Sequence, residues 1–371
     1  MPAVFDRTGT HPRRPGPTAC APHWPRPRRR WRERARVKLP TVQADVAAQG
    51  GELRRAWPRD AEHLLLDVGR DGGPTAGQWF ADADRARSVA DRTPGATVHG
   101  RLVLQPSGAD RRLAGLPGLL AEPGTELLAH RPERRAVVRG PGGYTKLVRP
   151  DRFPAVAAAA GRAAALPVRV PRVLAADAGG GRLTTAALPG RPLHELLDTP
   201  AAVPACRALG AALAALHAAP VPAGTPRHDA AAEAAVLHRW TDLARAWGAA
   251  DVAVPPAVLE ELRTGGSGPA APLHRDLHDR QVLVADDGSV GLLDFDLLAA
   301  GEPALDLANL LAHLSLRQRQ GLVDDARPLR AAVLGGYRPE PEVAARVPVH
   351  EVVTRARLAA VYAFRPDAPA S

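Results

Sequence analysis

The stretch PLHRDLHDRQVLVADDGSVGLLDFDLLAAGEPALDLANLLAHL, residues 272–314, decides how this chain folds. Two of its runs, QVLVA and VGLLDF, are strand-like, and the Asp-Gly pair between them is a strong signal for a two-residue hairpin turn. With that turn, Gln281 lies directly opposite Asp294, with α-carbons about 5 Å apart. The hairpin therefore returns Asp294 to the foot of the loop that carries His274 and Asp276.

This hairpin gathers several oxygen-bearing side chains at one end of a ribbon. Mg²⁺ prefers oxygen ligands and usually takes one or two carboxylates together with substrate phosphates. A carboxylate that does not bind the metal can accept a hydroxyl proton while the terminal phosphoryl group of ATP is transferred. The spacing of these residues therefore provides the groups that phosphoryl transfer requires.

The same residues carry a resemblance to a known family. HRDLHDRQVL followed by LLDFD resembles the catalytic and metal-binding motifs of the protein-kinase-like fold. The DLH, DFD and GEPALDLANL segments resemble the aminoglycoside phosphotransferase and choline kinase group. The resemblance implies a kinase that uses ATP and Mg²⁺ and acts on a hydroxyl group of a small molecule, with Asp276 as its catalytic aspartate.

The resemblance also assigns metal-binding and supporting residues. The implied metal ligands are Gln281 and Asp294, and Asp296 supports the metal or the nucleotide site. His274 and Asp306 have implied structural roles. Asp306 would hold the catalytic loop through backbone N–H groups of that loop.

Nucleotide binding is assigned to two positions earlier in the chain. Lys146 in YTKLVR lies on the third strand of a predicted antiparallel meander, where the family's lysine holds the nucleotide phosphates. The only other lysine of the chain is Lys38, so a lysine retained on this strand is more informative than usual. Adenine would lie in the interlobe cleft near AALPG, where Leu188 is the predicted contact.

These assignments predict an α+β, two-lobed, protein-kinase-like fold. A small antiparallel-sheet N-terminal lobe covers residues 126–188, and a mainly helical C-terminal lobe covers 189–371. Residues 41–125 form a small N-terminal cap, or extension of a lobe, without assigned chemistry. The Arg- and Pro-rich residues 1–40 are predicted to be a disordered tail or an artefact of the start site.

Local patterns predict the elements within the lobes. Strands are predicted at 126–130, 136–140, 144–149, 172–177 and 182–188, and helices at 155–165, 204–217 and 229–247. Asp229 is a candidate N-cap for the last of these helices, and Pro303 opens a further helix that Gly321 can close.

Three departures from the family pattern are visible. Gln281 replaces the usual Asn, and its extra methylene loosens the geometry around a metal. The turn RPERR between the first two strands of the meander has no glycine, which leaves Arg131, Arg134 and Arg135 as candidate phosphate contacts. The helix that should pair a Glu with Lys146 contains no acidic residue.

Two other interpretations stay open. Gln281 and the missing partner of Lys146 motivate a nucleotide-binding pseudokinase or regulatory module without turnover, although the catalytic aspartates are intact. A true protein kinase has poor support, because the chain lacks the Gly-rich loop and an Ala-Pro-Glu segment. The short interval between Asp296 and Asp306 also leaves no room for a long activation segment.

Charge and composition limit the partners. The net charge of +10 is concentrated in residues 1–40, so the rest is close to neutral and a specific nucleic-acid partner is not predicted. There is neither a membrane-length apolar run nor a secretory signal, which predicts a cytoplasmic protein without a membrane partner. Cys20 and Cys206 are not expected to form a disulfide.

The acceptor stays open at this stage. Family relatives phosphorylate aminoglycosides, macrolides, choline, homoserine and sugars, and the mildly acidic C-terminal lobe selects none of them. The oligomeric state is likewise not predicted.

Overall fold

The structure is a computed structural model, and it describes residues 38–70, 75–265, 268 and 270–366. The predicted disordered tail lies outside the described residues, except for positions 38–40. There the prediction is wrong, because Leu39 already begins a helix.

Three groups of elements follow one another along the chain. The cap, which the structure extends back to Leu39, contains α1 (Leu39–Ala47), β1 (Glu52–Asp60), β2 (His63–Gly69), β3 (Thr75–Phe80), α2 (Ala83–Ala90), β4 (Thr97–His99), β5 (Leu102–Gln105) and α3 (Leu116–Leu120). The N-terminal lobe contains β6 (Glu126–Arg131), β7 (Arg135–Gly140), β8 (Gly143–Val148), α4 (Phe153–Ala163), β9 (Val173–Asp177) and β10 (Arg182–Thr185).

The C-terminal lobe is mainly helical. Its elements are β11 (Arg191–Pro192), α5 (Ala202–Ala218), β12 (Arg227–His228), α6 (Ala230–Ala246), α7 (Pro256–Thr264), β13 (Ala271–Leu273), β14 (Val282–Val284), β15 (Val290–Leu292), β16 (Ala299–Gly301), α8 (Pro303–Arg319), α9 (Arg327–Tyr337) and α10 (Pro341–Tyr362). Among the described residues, none of the helices combines the length and apolar character that crossing a bilayer requires.

Two five-stranded antiparallel sheets dominate the N-terminal half. The cap sheet has the order β1-β2-β3-β5-β4, and the lobe sheet has the order β6-β7-β8-β10-β9. The predicted meander is therefore confirmed as β6-β7-β8. The strand β1 carries no sharp alternation, and the sequence patterns did not predict it.

The cap packs against helices of the C-terminal lobe through two tryptophans. Trp79 on β3 and Trp247 at the end of α6 are fully buried, and their rings meet edge to face with centroids 5.7 Å apart. The indole N–H of Trp247 donates to the Asp60 carbonyl at 2.9 Å. Burial of two large aromatic rings with their polar groups bonded fixes this junction.

The helix boundaries follow local capping chemistry. Asp229 accepts a hydrogen bond from the Ala232 N–H at 2.9 Å and caps α6. Pro303 occupies the first turn of α8, where a missing N–H costs little. Gly321 follows that helix with a φ of +71°, a conformation that favours glycine. These three expectations are confirmed.

Candidate active site

The loop between β13 and β14 is held by a buried aspartate of α8. Asp306 accepts hydrogen bonds from the backbone N–H groups of His274 and Arg275, each at 2.6 Å. Arg275 has a φ of +70°, a strained conformation for a residue with a long side chain. The two bonds stabilise this bend. Asp276 is the next residue of the loop.

Asp306 is itself held by a histidine of α5. The Nε2 atom of His217 lies 3.3 Å from Asp306 Oδ2, and its Nδ1 lies 2.8 Å from the Tyr337 hydroxyl. Burial opposes ionisation of Asp306, but the hydrogen bond from His217, the backbone N–H of His274 and the charges of these neighbours together outweigh it, and the pKa of the carboxyl falls below its ordinary value. A charged acceptor strengthens the bonds to the loop.

His274 joins the catalytic loop to the strand that precedes Asp294. Its Nε2 lies 2.7 Å from the Leu293 carbonyl, and its ring packs on Phe295 with centroids 4.6 Å apart. The backbone N–H of Asp276 donates to His274 Nδ1 at 3.3 Å, so the ring proton is on Nε2 and is donated to Leu293. His274 therefore ties this loop to the segment that leads to Asp294.

The hairpin β14–β15 differs from its predicted register by one residue. Ala285 pairs with Ser289, and a three-residue loop closes with Gly288 at a φ of +78°. Val282 pairs with Leu292, and the Leu293 N–H donates to the Gln281 carbonyl at 2.9 Å. The prediction that Gln281 lies opposite Asp294 is therefore wrong, because the longer loop shifts the partner strand.

Asp294 nevertheless points into the site, because it leaves the strand with a left-handed backbone. Its φ of +62° and ψ of +56° end the ladder and begin the short turn Phe295–Leu297. Gln281 and Asp294 line the same cleft, together with Asp296. If residue 294 were extended, the alternation of side chains along the strand would decide the face to which its side chain points.

Lys146 on β8 binds both of these aspartates. Its Nζ lies 2.7 Å from Asp294 Oδ1 and 2.7 Å from Asp296 Oδ1. Arg135 approaches from β7, with Nη1 3.5 Å from Asp294 Oδ2 and 3.6 Å from Asp296 Oδ2. These two carboxylates balance the charge of Lys146, since α4 contains no Glu that could do so.

The two aspartates differ in their electrostatics. Burial disfavours the charged form of Asp294, but Lys146 and Arg135 outweigh it and lower the pKa of the carboxyl below its ordinary value. Burial, with the nearby charge of Asp294, raises the pKa of Asp296 above its ordinary value in spite of Lys146. The two carboxylates share the positive charges of Lys146 and Arg135.

A cleft of about 400 Å³ between the lobes opens onto these residues. Its polar end is formed by Lys146, Gln281 and the two aspartates. Its walls are mostly apolar, and Leu188 is one of the residues that line it. An apolar cavity with a few convergent polar groups at one end is typical of a small-molecule or cofactor site.

The cap holds the turn between β6 and β7, which has no glycine. Glu133 sits in this turn with a φ of +58°, and its backbone N–H donates to Asp110 Oδ2 at 2.6 Å. The Glu133 carboxylate accepts hydrogen bonds from Arg111 at 2.6 Å and from the buried Gln78 at 3.3 Å. A buried polar network therefore stabilises this turn. In a glycine-rich loop, the conformational freedom of glycine would permit such a turn without the network.

A second buried ion pair supports the other end of the catalytic loop, and sequence reasoning missed it. Asp279 is fully buried, lies 2.9 Å from Arg317 Nη2 and also bonds His194. The amide of Asn309 donates to the Leu277 carbonyl at 2.8 Å. These partners lie far apart in the chain, so local spacing carried no signal for them.

The chain is similar to known proteins in its sequence family and in its fold. A family model described as "Phosphotransferase enzyme family" matches residues 128–345, more than half of the chain. No curated protein matches the chain.

Solved structures resemble the fold at low identity. An aminoglycoside phosphotransferase, APH(3'')-Id from Streptomyces rimosus in complex with ADP and streptomycin, is 20% identical with a TM-score of 0.50, covering 66% of this chain and 98% of that one. A choline/ethanolamine kinase family protein from Mesorhizobium loti is 17% identical with a TM-score of 0.45, covering 67% and 82%.

The predicted two-lobed, protein-kinase-like fold is thereby confirmed. Lys146, the loop that carries Asp276, and the aspartates Asp294 and Asp296 all lie within the matched segment. The cap precedes it. On the extent of the family match, this chain is a member of the phosphotransferase enzyme family.

Proposed function

We propose that this protein transfers the γ-phosphoryl group of ATP to a hydroxyl group of a small molecule, with Mg²⁺ as the metal cofactor. The observation that supports this most is the Lys146–Asp294–Asp296 cluster at the polar end of the interlobe cleft. It combines a phosphate-binding cation with two oxygen ligands in one place.

The residues present fit a Mg²⁺ ion. Asp294, Asp296 and the amide oxygen of Gln281 are all hard oxygen donors, and they line the same cleft. Mg²⁺ bound there would neutralise charge on the phosphates of ATP. A metal ion would also add positive charge beside Asp294 and Asp296, which favours their ionised forms.

The remaining steps belong to the side chains of the chain itself. Asp276 would accept the proton of the acceptor hydroxyl as the new oxygen–phosphorus bond forms and the bond to the leaving ADP breaks. Lys146 and Arg135 would stabilise the phosphate oxygens. The adenine ring would lie against the apolar walls of the cleft near Leu188, and we place the reaction in the cytoplasm.

Calorimetric titration of ATP into the full chain, with and without Mg²⁺, tests this proposal. We expect binding that strengthens with Mg²⁺, and a loss of about tenfold or more in affinity for Lys146→Met, since a charge-assisted contact is removed. Lys38→Met is the matched control, because Lys38 is exposed and is the only other lysine.

The outcomes separate the alternatives. Binding that ignores Mg²⁺ would support a pseudokinase instead. Failure of the folded protein to bind ATP at all would overturn the proposal.

The cap is predicted to control the affinity for ATP through the β6–β7 turn. Asp110→Asn replaces the oxygen that accepts the Glu133 N–H by an amide donor, which opposes the turn conformation. We expect KM for ATP to rise about fivefold to tenfold with kcat nearly unchanged, measured as ADP release. Asp91→Asn, at an exposed position of the cap, should change neither value. An equal fall in kcat would contradict a positioning role.

A further inference from the structure

Two arginines from different parts of the fold meet on one tryptophan. The guanidinium carbons of Arg55 on β1 and Arg131 on β6 lie 4.9 Å and 5.4 Å from the ring centroid of Trp57. Contacts of this kind are attractive because the aromatic face is electron-rich. Trp57 therefore keeps two like charges together where the cap joins the N-terminal lobe.

Arg131 lies on the face of the lobe sheet that borders the cleft. It pairs directly with Arg135 across β6 and β7, and directly opposed residues share one face of a sheet. Arg135 is the residue that approaches Asp294 at 3.5 Å. Arg131 is thus one strand away from a side chain that contacts the predicted metal ligands.

Arg55 places a positive charge of the cap within electrostatic range of Asp276, the predicted catalytic base. Burial is the largest cause that lowers the pKa of Arg55 to about 10, and Arg365 adds to it. Asp276 raises the pKa of Arg55, as a nearby negative charge does. Arg135 lowers the pKa of Arg55 as well, so Arg55 lies within electrostatic range of both Arg135 and Asp276.

No ion pair in the described part of the chain includes Arg55 or Arg131. Other buried arginines do have carboxylate partners, as Arg317 has Asp279 and Arg346 has Glu302. The Nε–H of Arg131 is buried without a hydrogen-bond partner. Burial and the surrounding arginines lower the pKa of Arg131 to about 9. Both arginines are half-buried, and Asp67 lies opposite Arg55 across β1 and β2 without forming an ion pair with it. Half-buried cations without a bonded partner are destabilising, and an anion beside them would offset that effect.

We propose that Arg55 and Arg131 form an anion subsite, and that the acceptor is therefore a hydroxyl compound that also bears a phosphate or carboxylate group. The inference rests on the proposed function. Guanidinium groups match both oxyanions in geometry. Lys146 and Arg135 already face the aspartates beside which the nucleotide phosphates would lie, so we assign the additional charges of Arg55 and Arg131 to the acceptor.

Inorganic phosphate is the probe that tests the subsite. It is titrated by calorimetry into the full chain saturated with Mg²⁺ and AMP-PNP, at constant ionic strength because such contacts are screened by salt. We expect phosphate to bind this complex, and Arg55→Gln and Arg131→Gln each to weaken that binding about tenfold. Arg87→Gln, on the exposed side of α2, is the matched control and should bind as the unsubstituted protein does.

Thermal melting distinguishes a binding effect from misfolding. Each Gln variant removes a like-charge repulsion but also an attractive contact with Trp57, so its Tm without phosphate should stay close to that of the unsubstituted protein. Phosphate that binds only when AMP-PNP is absent would assign the arginines to the nucleotide and overturn the inference, as would unchanged binding in the variants or no binding at all. AMP-PNP binding is recorded first, so a failure of the proposed function is seen separately.

Discussion

Asp276→Asn is expected to lower kcat about 10³-fold while the Kd for ATP stays within about twofold of its original value. Asparagine has the same shape but cannot accept the hydroxyl proton. The loop should keep its conformation, because Asp306 and His274 hold it through backbone groups and not through the Asp276 side chain. ADP release with the best acceptor from a screen, together with calorimetry for ATP, measures the two quantities.

Asp324→Asn is the matched control for this experiment, since Asp324 is an exposed aspartate of the same lobe. It should retain full turnover. If Asp276→Asn also retains turnover, Asp276 is not the base, and another group must accept the proton.

Asp294→Ala is expected to abolish the magnesium dependence of ATP binding and to lower kcat by about 10³-fold. The substitution removes the carboxylate at the end of β15 and leaves Lys146 with Asp296 alone. The Kd values for ATP with and without Mg²⁺ should then agree within about twofold, because one of the two carboxylates that Mg²⁺ commonly uses is gone.

Asp286→Ala provides the comparison, because Asp286 lies exposed in the loop of the same hairpin. It should leave the effect of Mg²⁺ intact. A variant at 294 that still gains affinity from Mg²⁺ would show that Asp296 and Gln281 suffice, and the principal metal ligand would have to be reassigned.

The hairpin shows where prediction from local pattern reaches its limit. The strands β14 and β15 and the turn between them follow from alternation and the Asp-Gly pair. The loop length does not, since an Asp-Gly pair also suits a three-residue loop with glycine in the left-handed position. A one-residue difference changes every opposed pair, so the predicted Gln281–Asp294 pair was lost although both residues line one cleft.

The departures from the family pattern were visible in the sequence, but their structural consequences were not. The absence of an acidic residue in α4 left Lys146 without a predicted partner. The structure pairs it with Asp294, 148 residues away. The absence of glycine in the β6–β7 turn left its conformation unexplained, and a buried network from the cap stabilises it. Both solutions depend on contacts between separate parts of the fold.

Local patterns in the sequence were enough to predict a strand-rich N-terminal lobe, a helical C-terminal lobe and the meander with Lys146. These follow from short-range spacing, strand alternation and capping residues, which act over a few positions and are readable without neighbours. Folding is what brings Lys146 and Asp306 to their partners and places Arg55 within electrostatic range of Arg135 and Asp276. Those pairs form because lobes and cap pack together, and the burial that sets their charges has no counterpart in local sequence.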